Sequence, residues 1–216
     1  MKSESDGYSG FWDQGSQGLR NQAAVIAVLG AVMLVGCDVA PNTAKRAPGN
    51  NRAVMDITMQ QAGERADSML DATLNAIKPE VNWTHSGTSG GSCDVSRSRM
   101  VMTIISKERR GNFLGVLQRF WEKNGYMIKS VNMSEKFPAI FAQSSDGFGV
   151  SLVVGGAGQV AFEVDSPCVK PSEVADPTTP ANGPDYDYPI PRPNVHSDFW
   201  SSTTPISSAL PTASAG

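Results

Sequence analysis

Apolar residues recur every three or four positions in two segments of the chain, and each segment predicts an amphipathic helix. The first covers residues 59–77 and ends before Pro79, because a residue that precedes proline avoids helical angles. Asp56 or Thr58 can cap its start. The second covers residues 112–124 and ends at Gly125.

Short runs of β-branched and aromatic residues predict six strands. They cover residues 81–86, 99–106, 126–131, 139–143, 148–154 and 159–164. Residues 87–92 are all Gly, Ser and Thr and predict a loop, and residues 144–147 and 155–158 have the composition of hairpin turns. The order of these elements predicts an α+β fold with two helices packed on one face of a mainly antiparallel sheet, and with disordered ends.

Residues 23–36 form an uncharged apolar run of the length of a signal-peptide core. A membrane-spanning helix needs roughly 20 apolar residues, so this run is too short. A buried core helix is the alternative interpretation.

The run ends in Leu34, Val35, Gly36 and Cys37, which resembles the lipobox of bacterial prolipoproteins. The resemblance implies cleavage between Gly36 and Cys37 and lipidation of the Cys37 sulfur, with acyl chains that hold the protein on the outer face of the cytoplasmic membrane. The layout of the chain also resembles uncharacterised small actinobacterial lipoproteins. Membrane lipid is therefore the first expected partner.

The chain then divides into four regions. We predict a signal peptide at 1–36, a lipidated N-terminus and flexible tether at 37–53, an α+β domain at 54–168, and a disordered tail at 169–216. The tether would reach roughly 20 to 25 Å. The tail holds nine of the 14 prolines and has no apolar period, which favours a solvated spacer. Docking of the tail onto the domain is the alternative.

Charge and cysteine content narrow the class of protein. With 18 Lys and Arg against 21 Asp and Glu, the net charge of −3 argues against nucleic-acid binding. Once Cys37 is lipidated, Cys93 and Cys168 remain, and an exported pair is expected to form a disulfide. A metal site made by these two cysteines and His85 is the alternative, but the close ligand spacing of zinc sites is missing. We therefore expect no metal and no cofactor.

Candidate catalytic residues are few, and the chain is not predicted to be an enzyme. His85 is the only histidine within the predicted domain, and Ser89 lacks the strand–turn–helix setting of a catalytic serine. The helical spacing of Glu64, Asp67 and Asp71 predicts a solvated face rather than an acid–base pair.

Lys107, Arg109 and Arg110 form the only dense basic spot. We predict a solvated loop there, with contact to anionic lipid or wall polymer as the alternative.

The sequence thus predicts a monomeric binding or accessory module of the cell envelope, with an envelope protein or cell-wall polymer as a further partner. A small cell-wall hydrolase that depends on His85 is one alternative. A scaffold that recruits a partner through its tail is another. If the protein is a binding module, deletion of residues 170–216 is expected to spare ligand binding.

Overall fold

The computed structural model describes residues 55–155, 158–184, 186 and 189–204. The predicted signal peptide, the cleavage site at Gly36 and Cys37 and the tether lie outside these residues. Among the helices of the described ranges, none is long and apolar enough to cross a membrane.

The described chain contains two helices, α1 (Met59–Asn75) and α2 (Lys107–Lys123), and eight strands. The strands are β1 (Met55–Thr58), β2 (Trp83–Gly90), β3 (Val95–Val101), β4 (Met127–Asn132), β5 (Ala139–Gln143), β6 (Gly149–Val154), β7 (Val160–Asp165) and β8 (Val169–Lys170). Six of them form one antiparallel sheet in the order β2-β3-β7-β6-β5-β4, and β1 pairs with β8 in parallel. Helix α1 packs on β3 and β7, and α2 packs on β4 and β5. The predicted α+β class is confirmed.

Helix α1 starts at the predicted residue, whereas α2 starts earlier than predicted. Thr58 and Gln61 form a capping box at α1, in which each side chain accepts the other residue's backbone N–H. Helix α2 begins at Lys107, five residues before the predicted start, because extended Ser106 precedes a run of good helix formers. The basic spot predicted as a loop is therefore the first turn of α2.

The first two predicted strands are shifted. Strand β2 continues through residues predicted as a loop, since their small side chains pair with β3, as Ser89 does with Ser96. Strand β3 ends at Val101 instead of residue 106. Beyond it, Met102 and Ile104 bond to the C-terminal part of the chain, with the Ile104 N–H donating to the Val195 carbonyl at 2.8 Å.

The described residues within 169–204, here called the C-terminal segment, pack against the domain. Trp200 is 1% exposed, lies edge-on to Phe113 and donates from Nε1 to the Pro79 carbonyl at 2.7 Å. The prediction of a disordered tail is therefore wrong for the described residues of this segment. The segment binds in a largely extended conformation through scattered contacts. Its apolar residues therefore show no helical or strand period in the sequence. Residues 205–216 lie outside the described part.

The predicted bridge between Cys93 and Cys168 is confirmed. Their Cα atoms lie 4.9 Å apart, and the bond joins the β2–β3 turn to the start of β8. The Val169 N–H donates to the Cys93 carbonyl at 2.6 Å, so the backbone holds the same junction. Because both sulfurs are used in this bond, the alternative metal site with His85 is not formed.

Candidate functional site

Four charged side chains meet between α1 and β3, and we call them the Arg–Asp cluster: Asp67, Asp71, Arg97 and Arg99. Residues two apart on a strand share a face, and residues four apart on a helix share a face. Arg97 and Arg99 therefore both point at α1, where Asp67 and Asp71 face them. The two arginines are 2% and 0% exposed, which is rare for charged residues unless they are paired.

Arg99 lies at the centre of the cluster. Its Nη1 donates to Asp71 Oδ1 at 2.6 Å, and its Nη2 lies 3.8 Å from Asp67 Oδ1. The guanidinium carbon lies 4.1 Å from the ring centroid of Trp83 on β2, a cation–π distance. Arg99 thus joins α1, β3 and β2 through one side chain.

Arg97 connects the cluster to the C-terminal segment. Its Nε lies 3.3 Å from Asp67 Oδ2, and its other nitrogens donate to Thr88 Oγ1 and to the Ala175 carbonyl. A Cβ on Gly63 would lie 3.3 Å from Arg97 Nη2, so the glycine leaves the room that this side chain occupies.

The prediction of a solvated acidic face is wrong for Asp67, whose side chain is buried. Burial raises the pKa of its carboxyl above the ordinary value, although Arg97 and Arg99 oppose the shift. Asp71 is half-buried as well, whereas Glu64 is exposed as predicted. The signal missed in the sequence was the alternation of Arg97 and Arg99 in β3, at a spacing that matches Asp67 and Asp71 one helical turn apart.

A cleft of about 400 Å³ opens beside the cluster, and we call it the α1–β2 cleft. Its walls come from the end of α1, the start of β2 and the C-terminal segment. It is lined by Asp71, Leu74, Asn75, Glu80, Val81, Trp83, Arg99, Thr179, Pro180 and Asn182. The volume lies within the range of small-molecule sites.

The C-terminal segment builds one wall of this cleft through specific hydrogen bonds. Thr179 Oγ1 donates to Asp71 Oδ2 at 2.9 Å, and Asn182 Oδ1 accepts the Trp83 N–H at 2.9 Å. Deletion of residues 170–216 would therefore remove part of the cleft instead of sparing it.

The two candidate catalytic residues do not form a reactive pair. His85 Nε2 lies 2.8 Å from the Thr179 carbonyl oxygen, and its ring stands edge-on to Trp83. Ser89 lies four residues further along β2, roughly 13 Å away at the rise of a strand, in regular pairing with β3. His85 therefore fixes the C-terminal segment, and the hydrolase alternative gains no support from it. The described residues also contain no group of three His, Cys, Asp or Glu side chains that could hold a metal ion.

No family model and no curated protein matches this chain. Among solved structures, the chain is similar to a DUF4853 family protein from Actinomyces odontolyticus at 14% sequence identity and a TM-score of 0.28, over 63% of this chain and 75% of that chain. We therefore infer the role of the cleft from the chemistry of its residues.

Proposed function

We propose that this protein is a membrane-anchored binding module of the cell envelope, whose ligand occupies the α1–β2 cleft. The observation that carries the proposal is the cleft itself. It combines an apolar floor of Leu74, Val81 and Trp83 with converging polar groups, which is the usual composition of a ligand site. The resemblance of Leu34–Cys37 to a lipobox and the Cys93–Cys168 disulfide support an extracytoplasmic location, because disulfides persist in exported proteins.

The charges at the cleft favour a ligand that donates hydrogen bonds. Asp71 and Glu80 contribute carboxylates, which only accept hydrogen bonds when ionised. Asp71 already accepts from Arg99 and Thr179, and Glu80 from Lys78, but a carboxylate has about four lone-pair sites and can accept further bonds from a ligand. Among the described residues that line the cleft, the one cation, Arg99, is already paired with Asp71. A polar ligand with hydroxyl or amino groups, such as a sugar unit of an envelope polymer, fits this lining better than an anion does.

A thermal-shift experiment on the full chain tests the cleft, because a ligand that binds only the folded state raises its stability. We expect glucosamine to stabilise the protein more than glucose, and glutamate to have no effect. Asp71→Asn should weaken the glucosamine effect, whereas Glu135→Gln, an exposed acid outside the cleft, should leave it intact. Equal stabilisation of both variants would contradict binding in the cleft.

The anchor has a separate test in the intact mass of protein extracted from the membrane fraction. We expect a chain that starts at Cys37 and carries a diacylglyceryl group, with free thiols only after reduction. An unlipidated chain that retains residues 1–36 would contradict the anchor and leave the cleft proposal to its own test.

A further inference from the structure

The loop between β4 and β5 presents large apolar side chains to solvent. Met133 is 71% exposed and Phe137 is 45% exposed, although most side chains of this kind are buried in small domains. The loop has a defined conformation, because Ser134 Oγ accepts the Phe137 N–H at 2.9 Å and Asn132 bonds to both Ser134 and Phe137. These hydrogen bonds order the loop, and both apolar side chains are exposed on it.

Basic side chains lie on this loop and contact it from α2. Lys107 Nζ lies 3.3 Å from Glu135 Oε2, which brings the first turn of α2 against the loop. Arg110 Nη1 lies 3.5 Å from the Glu135 carbonyl oxygen, and its Nε is buried without a hydrogen-bond partner. Lys136 is exposed within the loop. We call Lys107, Arg110, Met133, Lys136 and Phe137 the basic–apolar patch.

We infer that the basic–apolar patch docks on an anionic lipid bilayer, as a second membrane contact beside the anchor. Protruding apolar side chains that enter the headgroup region, flanked by Lys and Arg that meet anionic lipid, are the chemistry of interfacial binding. Glu108 and Glu135 reduce the charge here, leaving three basic side chains against two acidic ones. This inference rests on the proposed anchor at Cys37, whose predicted flexible tether holds the domain within roughly 20 to 25 Å of the surface.

The test uses the full chain, purified from membranes and reconstituted in vesicles. Met133→Cys carries a polarity-sensitive fluorophore, and Ser89→Cys, exposed on β2 at the opposite sheet edge, is the matched control. In vesicles with phosphatidylglycerol we expect a blue shift and quenching by lipid-borne quenchers at position 133 only. In pure phosphatidylcholine, the effect should be much weaker.

Charge reversal provides a second measurement. Lys136→Glu should lower the contact equilibrium in anionic vesicles at least about tenfold, since each basic residue near such a surface contributes about 1 kcal/mol. Lys170→Glu, an exposed lysine on β8, should change little.

Three results would overturn the inference: a water-exposed probe at position 133 in protein that stays on anionic vesicles, equal signals in neutral and anionic vesicles, or a blue shift without vesicles that grows with protein concentration. The last would mean that a second copy covers the loop. Failure of the anchor would be recognised separately, because the unlipidated mass would be seen before reconstitution.

Discussion

The two ends of the six-stranded sheet differ in which side chains they bury: one end buries charged residues, and the other exposes apolar ones. At the β2–β3 end, Arg97 and Arg99 are buried and the C-terminal segment covers them. At the β4–β5 end, apolar side chains such as Met127 and Phe141 are exposed, although α2 packs on the same two strands. Each end thus reverses the usual rule for buried and exposed residues. The α1–β2 cleft lies beside the buried arginines, and the basic–apolar patch includes the loop that joins β4 to β5.

The two ends should also differ in how much stability a substitution costs. Buried charges cost several kcal/mol each unless they are paired, so the Arg–Asp cluster depends on every neighbour that completes it. The C-terminal segment is one of these neighbours, through the carbonyl of Ala175 and the hydroxyl of Thr179. The exposed side chains of the β4–β5 end have no such dependence, so substitutions there should cost little stability.

The largest expected effect is that of Trp200→Ala. Loss of the buried indole and its bond to Pro79 should lower the free energy of unfolding by about 3 to 5 kcal/mol in urea titrations. Phe141→Ala, at the β4–β5 end and 42% exposed, should cost less than about 1 kcal/mol. If both variants lowered the free energy of unfolding by similar amounts, the proposed difference between the two ends would be contradicted.

The double variant Cys93→Ala with Cys168→Ala opens a bridge over a sequence separation of 75 residues. The chain-entropy model predicts a loss of about 4 kcal/mol in the free energy of unfolding. The check is chemical unfolding of oxidised wild type, reduced wild type and the variant. The last two should coincide, and a variant as stable as oxidised wild type would show that the bridge contributes nothing.

Arg99→Met keeps most of the volume but removes the charge at the centre of the cluster. We expect a loss of about 3 kcal/mol at neutral pH, because Asp67 then loses one of its two cations. The exposed pair of Arg65 and Asp146 is the control, and Arg65→Ala should cost less than about 1 kcal/mol.

The same variant makes a prediction about pH. Removal of Arg99 raises the pKa of Asp67 further, so the folded state binds its proton more tightly than the unfolded chain does. The penalty of the ionised carboxylate is full above the raised pKa and fades as the pH falls toward the ordinary value of 3.8. The deficit of Arg99→Met relative to wild type should therefore shrink on acidification. A constant deficit would show that packing alone is lost.

The sequence predicts the fold class, but it does not predict how the candidate site is assembled. The apolar stripes of both helices and the strands of the meander gave the α+β class, because side-chain period reports local structure directly. The register between β3 and α1 did not follow, since the meeting of Arg97 with Asp67 depends on tertiary packing. The C-terminal segment was missed for a related reason, because one Trp200 anchor and scattered hydrogen bonds leave no periodic signal.

The smallest expected effect concerns Glu163, on the sheet face opposite the helices. Burial, together with repulsion from Asp165, raises the pKa of its carboxyl. The ionised form therefore costs stability above that pKa, and the cost disappears as the pH falls toward 4.5. Glu163→Gln should stabilise the protein at pH 7 by less than about 1 kcal/mol and lose this advantage in acid. An advantage that persists at low pH would assign the effect to another cause.

Hydrogen–deuterium exchange of the full chain tests the central claim most directly, namely that the C-terminal segment is part of the folded domain and completes the cleft. We predict slow exchange at the amides of Ala175, Val195 and Trp200, which donate to Gln60, Met102 and Ser197 respectively. Exchange in these peptides at the rate of an unfolded chain, beside a protected sheet, would contradict the account.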